Sequence, residues 1–228
     1  MNQSMPILYT HDQFIRPIVA VALAKYFQLD IDIREITEDV DNYCEQFPVR
    51  TVPSMIIDPS TKIFEQLAVT RYIIFLSNNE KEKNQLLGLN KSTIHQCEIE
   101  MICSFCTSDF LNELANFCLH DLKTVPISAE VADCAEKKLE IMYPIFEQKL
   151  KSHEFLTGDH ITLADLVAAT SFSLGFNSQF GPEWRERHIS ITEWFLKVIK
   201  SSYMVSRFGD FEFVSSAHTI TERPLPWD

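Results

Sequence analysis

The chain has 228 residues, enough for one large domain or two small ones, and its 46% hydrophobic content supplies a full core. Its 20 Lys and Arg against 32 Asp and Glu give a net charge of −12. The averaged field repels phosphate backbones and anionic lipid, which argues against direct nucleic-acid binding and against a membrane surface. No apolar run approaches the roughly 20 residues of a membrane-spanning helix and no leader pattern opens the chain, so a cytoplasmic protein is expected.

"PILYT" (6–10) reads as a short strand, and "FIRPIVAVALAKYF" (14–27) follows with apolar residues at helical spacing. "DIDIREI" (30–36) alternates imperfectly with charge, as a strand beside a sheet edge does, and the polar "TEDVDNYCEQF" before Pro48 fits a brief helix or turn. "SMIID" and "KIFE" flank "PST" as a hairpin, and Gln66 to Leu76 spell a second long helix. The order β-α-β-α-β-β-α predicts a small α/β layer. "SNNEKEKNQLLGLNK" (77–91) is polar and reads as a linker.

Beyond it the pattern is helical, over Ser92–Asp121, Ser128–Ser152, Thr162 to about Asn177, and Ser190–Ser201. In "GDHITLADLVAATSFSLGF", Thr162 and Asp165 have the spacing of a capping box, with Ile161 and Leu166 as its hydrophobic staple. The helix that follows is apolar nearly all round, which places it at the buried centre of the second part. Six cysteines stand at 44, 97, 103, 106, 118 and 134 without zinc-finger spacing, so no metal is expected. Cys103 and Cys106 form Cys-x-x-Cys inside a helical pattern, where core packing is the expected role. Trp184, Trp194 and Phe195 are read as core, His188 as a cap, and the tail "ITERPLPWD" as a segment that packs back across a groove or stays loose.

Pro53 raises a separate question, because proline has no N–H to give a sheet ladder. A cis Val52–Pro53 bond turns the Val52 backbone outward, where its N–H and C=O can pair with an extended peptide. Glu65 and Gln66 then open a helix, whose backbone N–H groups and positive dipole end favour a carboxylate. The two features together describe a site for a peptide backbone and its acidic end.

"TVPSMI", "FEQLAVTRYI", the linker and "FLTGDHITLADLVAATSF" resemble the cytosolic glutathione transferases in order and spacing, over nearly the whole chain. Residues 180–213, "FGPEWRERHISITEWFLKVIKSSYMVSRFGDFEF", are more specifically similar to the transferase-like domain of the gamma subunit of translation elongation factor 1B, especially its fungal versions. So is "LLGLNKSTIHQCEIEMICSFCTSDFLNE". The resemblance implies a thioredoxin-like domain over 1–78, a linker at 79–91 and an all-helical domain over 92–228. It further implies glutathione as ligand or substrate, a homodimer, and elongation factor 1B subunits as partners. The gamma subunits continue into a Lys-rich linker and a further domain, whereas this sequence stops at "TERPLPWD", as a stand-alone paralogue or a domain of a longer protein would.

Transferases of this superfamily place a Tyr, Ser or Cys near the end of the first strand to hydrogen-bond the glutathione thiol and favour its thiolate. Here the turn reads "LYTHDQFIR", with Asp12 or Gln13 at the position where many relatives carry Ser or Cys, and an ionised Asp12 repels a thiolate. Tyr9, Thr10 and His11 remain as catalytic candidates, each with an ordinary strand or turn role as its alternative. Val52, Pro53, Glu65 and Gln66 are the candidate glutathione-binding residues. Glu65 is expected buried and hydrogen-bonded, while Gln66 stands where relatives often carry a shorter Ser that touches the γ-glutamyl carboxylate. Three functions follow: an interaction module of the elongation-factor type, a glutathione transferase or peroxidase with a non-standard thiol activator, or a scaffold that binds glutathione without turnover. The first ranks highest.

Overall fold

Leu8 and Tyr9 point to opposite faces of the first strand, β1 (Ile7–Thr10), and both are buried, so this strand is covered on two sides. It pairs in parallel with β2 (Asp32–Glu35) and antiparallel with β3 (Ser54–Asp58), which forms a hairpin with β4 (Thr61–Phe64); the sheet order is β2-β1-β3-β4. At the hairpin tip Asp58 Oδ1 accepts hydrogen bonds from the Ser60 N–H at 2.8 Å and the Ser60 hydroxyl at 2.7 Å. Helices α1 (Ile18–Tyr26) and α3 (Gln66–Leu76) pack against each other on one face of the sheet. The opposite face takes α2 (Val40–Gln46); the rings of its Tyr43 and of Phe47 just after it lie 5.2 and 5.9 Å from the ring of Tyr9. The computed structural model describes residues 5–120 and 127–220, and the chain divides between Glu80 and Lys81 into two compact units.

The expected helix from Phe14 begins only at Ile18. Residues before it fold into turns instead, with Phe14 N–H donating to His11 O at 3.0 Å and Ile18 N–H to Ile15 O at 3.1 Å, and Pro17 stands at the cap. The stretch read as a linker contains a further helix, α4 (Glu80–Leu87), which buries Leu86 and Leu87 beneath an otherwise polar surface. Gly88 ends it with φ +64, and a Cβ there would lie 2.8 Å from Ile99 Cδ1.

The second unit continues with α5 (Thr93–Phe105), a π turn over Cys106–Phe110, α6 (Leu111–Cys118), α7 (Ala129–Ser152) and α8 (Leu163–Phe176). Two short helices not foreseen in the sequence, α9 (Pro182–Arg187) and α11 (Val205–Phe208), flank α10 (Ile189–Ile199). The π turn lies where α5 and α6 face α8, and the Ser171 hydroxyl of α8 donates to Cys106 O at 3.1 Å. Every residue of α8 is buried. Phe172 and Phe176 centre an aromatic cluster with Phe110, Tyr143, Phe180, Trp184 and Phe195. A Cβ on Gly175 would sit 2.1 Å from the Phe180 ring, so only glycine admits that ring.

The capping box at Thr162 and Asp165 forms and extends into a larger network. Asp165 is fully buried; its Oδ2 accepts from the Thr162 N–H at 2.9 Å and hydroxyl at 3.0 Å, its Oδ1 from the Leu156 N–H at 2.8 Å and the Trp194 indole at 2.9 Å. One carboxylate thereby ties the preceding loop, the start of α8 and the middle of α10. Trp184, Trp194 and Phe195 are core residues. His188 opens α10 without capping it by its side chain; its Nδ1 lies 2.8 Å from Glu147 Oε1 and pins this turn to α7 instead. Cys103 and Cys106 are buried free thiols. The tail from Thr221 onward lies outside the described residues. Among the described residues no helix is long and apolar enough to cross a membrane.

Thr162→Ala should lower unfolding stability by about 1 kcal/mol, the worth of a helix cap. Asp165→Ala should cost about 3 kcal/mol, because it strands four buried donors. Urea unfolding compares them, and equal costs would reduce Asp165 to a simple cap. In the folded protein a thiol reagent should label exposed Cys97 and Cys134. Burial raises the Cys106 thiol pKa and pushes that of Cys118 up to about 12, so these two should react only after unfolding; mass spectrometry of the labelled protein reads this directly.

Candidate functional site

Strand register alone assembles one end of the sheet. Tyr9 pairs with Ser54, so the residues after β1 run beside those before β3; Ser54 pairs with Phe64, so Val52–Pro53 faces Glu65–Gln66; and Thr10 pairs with Glu35. With neighbouring strands about 4.8 Å apart, Glu35, Thr10 and His11, Val52 and Pro53, and Glu65 and Gln66 line up in a row.

The Val52–Pro53 bond is cis. Val52 is buried, and among the described residues its backbone N–H and C=O make no hydrogen bond. The loop before it is held from inside the fold: the Tyr43 hydroxyl donates to Thr51 O at 2.8 Å, and the Ser54 hydroxyl donates to the same oxygen. Burial raises the Tyr43 pKa, which keeps the phenol protonated as that donor.

Gln66, the first residue of α3, is 5% exposed and its Oε1 is buried with no partner. No side chain caps α3, so the helix N–H groups attract a carboxylate while the Gln66 oxygen seeks a donor. An amino-acid head, with carboxylate and ammonium on one carbon, meets both demands. Glu65 departs from expectation: it is exposed rather than buried, makes no side-chain cap and adopts φ +76.

At the end of β1 the three catalytic candidates separate. The Tyr9 ring is 3% exposed in the core against Tyr43 and Phe47, with its hydroxyl beside the Arg34 guanidinium. Thr10 is half-buried at the strand end. His11 is 8% exposed and packs on Phe14 at 4.6 Å; its Nδ1 lies 2.9 Å from Glu35 Oε1, out of line for a well-formed hydrogen bond, and its Nε2 has no partner. Asp12 and Gln13 are exposed in the turn.

Glu35 is the residue that the sequence reading passed over. Its Oε2 accepts the Asp12 N–H at 3.0 Å while its Oε1 sits against His11, so a carboxylate braces the turn after β1. The available signal was its position as the last residue of a strand parallel to β1.

Comparison with known proteins agrees with this architecture. Residues 97–201 match the family model described as "Glutathione S-transferase, C-terminal domain". A putative elongation factor 1 gamma homolog of Saccharomyces cerevisiae is 32% identical over 88% of this chain and 90% of its own length. Elongation factor 1-gamma 1 of the same yeast is 32% identical over 87% of this chain, which spans only 48% of that longer protein. The crystal structure of the GST-like domain of Saccharomyces cerevisiae elongation factor 1-gamma superposes with a TM-score of 0.85 and 31% identity, covering 97% of this chain and all of that one. A four-stranded mixed sheet followed by a helical unit built around a capped, buried helix, with these relatives, makes the chain a member of the elongation factor 1-gamma family, on the glutathione S-transferase fold.

Proposed function

We propose that this protein is a protein-interaction module of translation elongation, a cytoplasmic homodimer that holds glutathione without activating its thiol. The observation that carries the reading is the Glu35 carboxylate against His11 and the Asp12 N–H at the end of β1. Relatives that generate a thiolate place a neutral donor there, whereas a carboxylate opposes a second negative charge nearby. Tyr9 is committed to the core and Thr10 pairs in register with Glu35. Retention of the ligand is supported by the free Val52 backbone and the unpartnered Gln66 Oε1, which suit the peptide and the γ-glutamyl head of glutathione. The partner is another subunit of elongation factor 1B, in keeping with the yeast relative that matches over 90% of its length.

One observation favours a second reading, transferase chemistry: the buried and unpartnered His11 Nε2 is a polar atom left available in the same turn.

Glutathione at a hundredfold its Kd should stabilise the native protein by about 2.7 kcal/mol, visible as a raised Tm. Gln66→Ala should remove most of that rise and His11→Ala little of it. Conjugation of a model electrophile should stay at the uncatalysed rate; turnover that collapses in His11→Ala would hand the case to the second reading. In a separate test, the tagged protein should retain the nucleotide-exchange subunit of elongation factor 1B in a pull-down, and failure to retain it contradicts the interaction role.

A further inference from the structure

Past α11 the chain leaves regular structure. Residues 211–220 belong to no helix or strand and none of them is buried, yet they follow a fixed path across the helical unit. Helix ends set that path, because the last carbonyls of a helix find no donor within it. The Val214 N–H reaches Phe176 O, at the end of α8, at 3.5 Å, and the His218 N–H donates to Ser178 O just beyond at 3.0 Å. The Ile220 N–H donates to Cys118 O, at the end of α6, at 3.1 Å. One segment closes two helix ends.

Side chains hold it down. Arg185 Nη1 donates to Phe180 O at 2.7 Å and Val214 O at 3.0 Å, and its guanidinium lies over the Phe213 ring at 4.7 Å, so one residue of α9 grips the segment by backbone and by ring. Phe211 and Phe213 lie 5.2 and 5.1 Å from the rings of Phe195 and Phe176. At Gly181 the segment passes so near that an added Cβ would meet Ala217 N at 3.0 Å. Gly181 has φ −65, open to every residue, so glycine serves here for clearance and not for backbone freedom.

Beneath the segment lies a thiol. Cys118 is fully buried, with its sulfur beside the Ser178 hydroxyl and the Gln179 backbone. The segment bonds Cys118 O on one side of that sulfur and Ser178 O on the other, so it spans both stretches of chain that enclose it. Burial pushes the thiol pKa up to about 12 and keeps it unreactive. A segment fastened at a few points, with no buried residue of its own, opens at lower free energy than the core it covers. We propose that residues 211–220 are a strap that lifts and closes as a unit while the helices stay folded, that Arg185 is its latch, and that the closed strap bars access to the Cys118 thiol. This device stands apart from the candidate glutathione residues, all of which belong to the first unit.

The test is alkylation of the intact protein with iodoacetamide, followed at each cysteine by mass spectrometry. Cys106, fully buried against Ser171 of α8, is the internal standard for global unfolding. In the native protein Cys106 and Cys118 should both stay unlabelled while exposed Cys97 and Cys134 react to completion. On longer exposure Arg185→Ala should label Cys118 at about tenfold or more the native rate, the loss expected for hydrogen bonds made by a charged donor. Its Cys106 rate should stay within about twofold, because the open population and not global unfolding sets the Cys118 rate. Gly181→Ser should act in the same way: serine is a favoured N-cap for α9, so what it changes is the clearance under Ala217. Thr162→Ala, at the opposite end of α8, removes a cap without touching the strap and should not favour Cys118 over Cys106. Hydrogen exchange gives a second readout, in which the 211–220 peptide of Arg185→Ala loses protection that α8 keeps. Equal acceleration at both buried cysteines in Arg185→Ala, the same selectivity for Cys118 in Thr162→Ala, or an unchanged Cys118 rate in Arg185→Ala would overturn the proposal.

Discussion

A single buried carboxylate organises the helical unit. α8 is buried on every side, so it has no polar face by which apolar packing alone fixes its rotation and register. Asp165 supplies that information by accepting from Leu156, Thr162 and Trp194, each on a different segment. Burial pushes the Asp165 pKa up and the donated hydrogen bonds pull it back, with burial the larger effect. The fold tolerates this cost because the same group settles where the loop, α8 and α10 meet. The aromatic cluster around Phe172 and Phe176 then closes on a helix whose orientation is already determined.

The N-terminal unit solves a different problem by register. Three strand pairings bring four loops to one sheet end, and the Tyr43 hydroxyl, acting from the core, holds the loop before Pro53. The groups proposed to hold glutathione and those proposed to govern its thiol lie on different segments there. The backbone of Val52 and the start of α3 depend on the hairpin and its following helix, whereas the proposed thiol position depends on the turn after β1. A carboxylate from β2 can therefore alter the turn after β1 without disturbing the hairpin or the start of α3, and one fold can host different functions in this way.

Much of this was legible in the sequence, for stated physical reasons. α3 and α8 were found because their apolar spacing is strong, and the hairpin because Pro-Ser-Thr interrupts two apolar runs. α4 escaped because "EKEKNQ" masks the two leucines that anchor it, and α9 because six residues hold barely two turns of period. Phe14 and Ile15 extend the apolar pattern of α1 in the sequence, but the turns before Pro17 interrupt it in the structure. Glu65 is expected buried from its place at a helix start, but it is exposed, with a positive φ that the sequence does not signal. Glu35 could not be weighed until the parallel register set it beside His11, a contact between residues 24 positions apart in sequence. Local pattern finds elements, but the chemistry of this site comes from pairings that pattern does not report.

In the proposed function the end of β1 keeps the thiol of bound glutathione protonated. Ultraviolet difference absorbance of glutathione, added to the protein at neutral pH, reports thiolate directly. The account predicts saturable binding, seen by calorimetry in the same sample, with no thiolate band, because the bound thiol keeps a pKa at or above its free value of about 8.5. A thiolate band that grows with the same saturation would contradict it.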